Sequence, residues 1–158
     1  MMAMGLKKSL IAVSMASALF LGANNVMADT HGKGQMGQCG ETKLADHMGE
    51  MKDHLKAYKN AAKSGDWAVM ADSREALLEL SASSKEETPF KAQGKSKSEQ
   101  AKMKGNYQKG MEKLEDLLAQ LGEAEKAKDS DKVMDLMQQI GKHTKKGHEA
   151  FKQKCDDE

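Results

Sequence analysis

The sequence predicts an all-α fold, an antiparallel up-down-up-down four-helix bundle. Three observations carry this. Three stretches place apolar residues at steps of three and four, the spacing of a single helix face, and a fourth carries Met70, Leu77, Leu78 and Leu80. Polar or Gly-containing segments with helix-capping residues separate them. The 158-residue chain holds one Pro and few β-branched residues, so nothing favours strands. Each helix alone is marginal in water, and burying the four seams together is what stabilises them.

Residues 1–28 read as a secretory signal peptide rather than as part of the fold. Lys7 and Lys8 form its basic start, Ser9 to Gly22 its short apolar run, and Val26-Met27-Ala28 its cleavage site. The run is too short for a membrane span. A periplasmic product starting at Asp29 is expected, and its formal charge falls from +1 to −1 once the two leader lysines are gone. That balance points away from nucleic acid and from stable membrane association.

Residues 29–40 are Gly-rich and form a flexible arm. The bundle occupies 41–158. Helix one covers Glu41 to Ser64, with Leu44, Met48, Met51, Leu55, Tyr58 and Ala62 as its seam. Gly65 ends it and Asp66 caps helix two, which runs from Trp67 to about Ser83 with Met70, Leu77, Leu78 and Leu80 inward. Lys85 to Lys97 is polar, contains Pro89 and forms a loop. Ser96 and Glu99 form a capping box. Helix three carries Met103, Tyr107, Met111, Leu114, Leu118 and Leu121 to about Lys128. Asp129-Ser130 opens helix four, whose inward line is Val133, Met137, Ile140, Thr144, His148, Phe151 and Cys155.

In this topology helices one and four are antiparallel neighbours, which places Met48 at nearly the level of His148. An inward imidazole must find a hydrogen-bond partner or bind something. A thioether and an imidazole facing each other across a core can ligate a haem iron. By spacing alone the alternative stands beside it: Met at a seam position is ordinary core filler, and a bundle His is more often a satisfied core residue.

From Leu44 onward the chain resembles the cytochrome b562 family. Leu44-Ala45-Asp46-His47-Met48 and the residues to Lys56 look like that family's first helix, with Met48 in the place of its axial methionine. Thr88-Pro89 is similar to its loop, and Lys109-Gly110-Met111 to its third helix. His148-x-x-Phe151-Lys152 resembles its ending, with His148 in the place of the axial histidine. The resemblance implies one non-covalent haem b per chain, with Met48 and His148 as axial ligands. Leu44, Met51, Tyr107, Met111, Phe151 and Lys152 would surround it. It further implies a soluble electron carrier exchanging electrons with redox partner proteins. Tyr107 and Met111 stand where the family has phenylalanines, and Lys152 where it has an Arg. A competing register, Ala150-Phe151-Lys152-Gln153-Lys154, sets Lys152 at the histidine's position. His148 is preferred because the periodicity turns it inward. No Cys-x-x-Cys-His precedes it, so the covalent attachment of cytochromes c′ is not expected.

Cys39 and Cys155 are the only cysteines. Both fall toward one end of the bundle in an oxidising compartment, so a disulfide is expected. His47, Met51 and His54, with His31 and Met36 of the arm, make copper a weaker alternative. A bundle that has lost haem and serves as a periplasmic binding or stress protein is a third reading. His143 falls off the seam, and Arg74 reads as a boundary residue. No Ser/His/Asp set, paired inward carboxylates or phosphate loop points to an enzyme.

Overall fold

The computed structural model describes residues 39–155. The signal peptide, its cleavage site and the arm before Cys39 lie outside the described residues. Helix α1 spans Lys43–Ser64, α2 Trp67–Lys85, α3 Lys97–Lys126 and α4 Ser130–Phe151. Among the described residues there is no strand, and the all-α class read from periodicity holds.

Local chemistry sets the helix boundaries. Gly65 closes α1 in the left-handed conformation at φ 72° and donates its N–H to the Ala61 carbonyl. Asp66 accepts the Val69 N–H at 3.1 Å and starts α2. Ser96 and Glu99 cap each other reciprocally at the start of α3, and Asp129 accepts the Lys132 N–H at 2.9 Å at the start of α4. The loop after α2 buries Pro89 and contains one 3-10 turn, Phe90–Ala92.

Cross-helix pairs give the antiparallel sense. Lys43 at the start of α1 meets Glu87, just beyond the end of α2, at 3.1 Å. Arg74 in the middle of α2 meets Glu125, in the last turn of α3, at 2.9 Å, and Lys85 at the end of α2 meets Glu115, further back along α3, at 3.0 Å. Tyr58, Met70, Leu118, Leu121, Val133, Leu136 and Ile140 form the buried centre.

The structure corrects three expectations about packing. The inward stripe of α2 continues through Ser73, Ser81 and Ser84, all buried, while Leu78 and Leu80 are only half-buried. Small side chains let α2 approach its neighbours closely. The close helix packing runs α1 to α2, α2 to α3 and α3 to α4, whereas α1 and α4 meet far more sparsely than neighbours in a closed ring. Finally, α4 ends at Phe151, one turn before Cys155. Lys152 turns extended (φ −74°, ψ 124°), and the Lys91 ammonium donates to the Ala150 carbonyl at 3.1 Å, satisfying one of the helix's last acceptors.

Candidate functional site

The residues singled out in the sequence gather at one end of the bundle, around the start of α1 and the end of α4. A disulfide joins Cys39 to Cys155 there, with the Cα atoms 5.7 Å apart. Met48 lies nine residues after one cysteine and His148 seven before the other. The two therefore sit within roughly one helical turn of the same level.

Met51, Tyr107 and Met111 are buried at 8%, 5% and 7% exposure, and Leu44, Met48 and Phe151 pack half-buried against the same cluster. The Tyr107 and Phe151 rings meet edge to face, with centroids 5.5 Å apart. The Tyr107 hydroxyl donates to the Ser84 carbonyl at 2.8 Å. Burial, helped by the nearby Glu87 carboxylate, pushes the Tyr107 phenol well above its usual range. Gly110 lies against this ring pair, and a Cβ there would meet the Phe151 ring at an ordinary 4.0 Å contact.

His148 does not face the core. It is exposed, and it shares a shallow surface hollow with Lys91, Glu149, Lys152, Gln153 and Lys154. The cause is rotational. Toward its end the inward line of α4 runs through Ile140, Thr144, Gly147 and Phe151, all buried or half-buried. His148 is one step of about 100° round from Gly147. His143 was expected off the seam, yet it is half-buried and its Nε2 lies 2.7 Å from the Gly110 carbonyl, which marks the α3 side of α4. Five residues further on, His148 falls about 140° away from that side. Lys152 is exposed, beyond the end of the helix, and its N–H bonds the His148 carbonyl.

The histidines of α1 lie against its neighbours. His47 and His54 are half-buried, and His47 Nδ1 lies 3.3 Å from the Ser84 hydroxyl. His31 and Met36 lie outside the described residues. Among the described residues no three His, Cys, Asp or Glu side chains cluster as metal ligands.

Arg74 is not a boundary residue. Its Nε donates to Glu125 at 2.9 Å, and the other Glu125 oxygen accepts the Tyr58 hydroxyl at 2.9 Å. Gly122 makes the space, since a Cβ there would sit 3.1 Å from the guanidinium carbon. Glu125 escaped the sequence reading. The only signal was Gly122, a helix-interior glycine three residues before a carboxylate.

The family model for cytochrome b562 matches residues 43–152. The chain belongs to the cytochrome b562 family. Comparisons with curated proteins and with solved structures give no match. The match covers all four helices, so in this cytochrome b562 family member the Cys39–Cys155 pair lies just outside the matched segment at both ends. The residues at the disulfide end fit a haem on the α1 side. A half-buried thioether stands at an apolar wall of Leu44, Met51, Met111 and Phe151, and a soft sulfur with a neutral imidazole suits low-spin haem iron. On the α4 side His148 is exposed rather than turned into the core.

Proposed function

We propose that this chain is a periplasmic electron carrier holding one haem b non-covalently between α1 and α4. Met48 and His148 are its axial pair. The observation that carries the reading is the half-buried Met48 on an apolar wall, beside the one pair of chain-terminal helices that packs sparsely. His148 lies at nearly the same level. The haem supplies one-electron chemistry. The protein holds the iron from both sides, which favours electron transfer over ligand chemistry. Tyr107 and Phe151 keep water from the inner edge, and Lys152 places positive charge at the outer one. The test is a ligand series. Met48→Ala and His148→Ala are each expected to change the oxidised and reduced haem spectra, while Lys152→Ala leaves them as they are. An unchanged spectrum in either of the first two overturns the axial assignment.

One observation favours a second reading, in which the bundle has lost haem and serves as a periplasmic binding protein. His148 is exposed, and the Tyr107–Phe151 contact closes part of the inner wall. On that reading none of the three variants changes haem uptake, because the unaltered chain has no saturable uptake.

A further inference from the structure

The outer face of α4 changes sign along its length. Its start carries Asp129, Asp131 and Asp135 against Lys132. Its second half and residues 152–155 carry Lys142, Lys145, Lys146, Lys152 and Lys154 against Glu149, and all of these are exposed. None of these lysines is held in an ion pair among the described residues.

Helix stability does not account for this pattern. The helix dipole favours cations only within the last turn. Lys142 lies nine residues before the end of α4 at Phe151. Lys142 with Lys145, and Lys142 with Lys146, are like-charge pairs at the spacings of three and four, which destabilise a helix. Solubility does not require it either, since carboxylates serve that purpose as well. Lys152 and Lys154, with Lys91 of the α2–α3 loop, line the hollow that holds His148, and Lys142, Lys145 and Lys146 extend the basic surface back along α4. Three carboxylates, Asp156, Asp157 and Glu158, follow Cys155 in the sequence and reduce the surplus without cancelling it.

We propose that this face of α4 docks an acidic patch on a partner protein. Charge complementarity selects the partner's chemistry and steers its approach. The face lacks the apolar anchors of a membrane-binding helix. The exposed large apolar side chains, Val69 and Met134, lie near the starts of α2 and α4, at the opposite end. Where the haem reading holds, docking here brings a redox partner to the edge beside His148. The docking surface rests on that reading only for its purpose, and its test needs no haem.

The test is binding of the full mature chain to a fluorescent Asp/Glu-rich peptide, read by anisotropy across a salt series. The unaltered chain is expected to bind, and to weaken steadily as salt rises. The triple variant K142E/K145E/K146E is expected to lose at least about tenfold in affinity, and the corresponding Lys→Gln triple to lose less. The triple K126E/K128E/K132E makes the same change in net charge at the acidic end and is expected to bind almost as the unaltered chain does. Equal losses in the two charge-reversed triples would reduce the effect to net charge and overturn the proposal. So would tighter binding to phosphatidylglycerol vesicles than to the peptide, or no binding at low salt. Loss of haem binding with peptide binding intact would overturn the carrier reading alone.

Discussion

Arg74, Glu125 and Tyr58 are single residues whose roles depend on three different helices. The Glu125 and Arg74 side chains are 7% and 15% exposed. Removing one partner of such a pair leaves the other charge buried and poorly solvated. Arg74→Met is therefore expected to cost about 3–5 kcal/mol in chemical denaturation. Tyr58→Phe removes one of two bonds to the carboxylate and is expected to cost only about 1–2 kcal/mol. Glu99 is the opposite case, a role read correctly from sequence because its partner is three residues away. Hydrogen bonds from the Ser96 hydroxyl, at 2.6 Å, and from the Ser96 N–H, at 3.1 Å, hold the Glu99 carboxyl below the usual carboxylate range. Since the folded value is the lower one, the cap's contribution is complete above the unfolded value and is lost as pH falls through the folded one. Amide exchange in the first turn of α3 should thus quicken on acidification, and Glu99→Gln should abolish that pH dependence. Ser96–Glu99 was legible and Glu125 was not, because a cap is local while a buried ion pair exists only after three elements have packed.

At the scale of elements, the same distinction explains the fate of α4. Its existence, its start at Asp129 and its inward line through Val133, Met137 and Ile140 follow from periodicity, and all three of those residues are buried. Toward the end, the step pattern points inward at His148, whereas the structure runs the inward line through Gly147 and leaves His148 exposed. Packing chose the Gly147 line, with His143 on Gly110 and Phe151 on Tyr107. Those partners sit on α3, so no pattern within α4 reveals them. The disulfide matters most to this element. It closes a span of 116 residues between α1 and α4, which otherwise pack sparsely. Reduction, or Cys39→Ser, is expected to lower stability by about 5 kcal/mol in the chain-entropy model. Exchange protection in the last turns of α4 should fall before that in α3, because the tie acts on the element with the fewest other neighbours. Equal loss across all four helices would assign the disulfide a purely global role.

For the whole molecule, four seams joined by two tight capped connections and one longer loop leave little freedom but an up-down-up-down bundle, and that much was legible in the sequence. Which side of the bundle stays open was not. The buried serines of α2 accompany its close packing on α1 and α3, while α1 and α4 pack sparsely, and neither feature follows from the seam of one helix. The haem reading puts its site on the sparsely packed α1–α4 side, and it stands or falls there. It is tested most directly by absorption spectra of the chain purified from the periplasm, oxidised and then dithionite-reduced, with haem titrated into any apo fraction. The account expects saturable uptake of one haem per chain and a sharp reduced α band. Absence of a Soret band, with no saturable uptake of added haem, would contradict it.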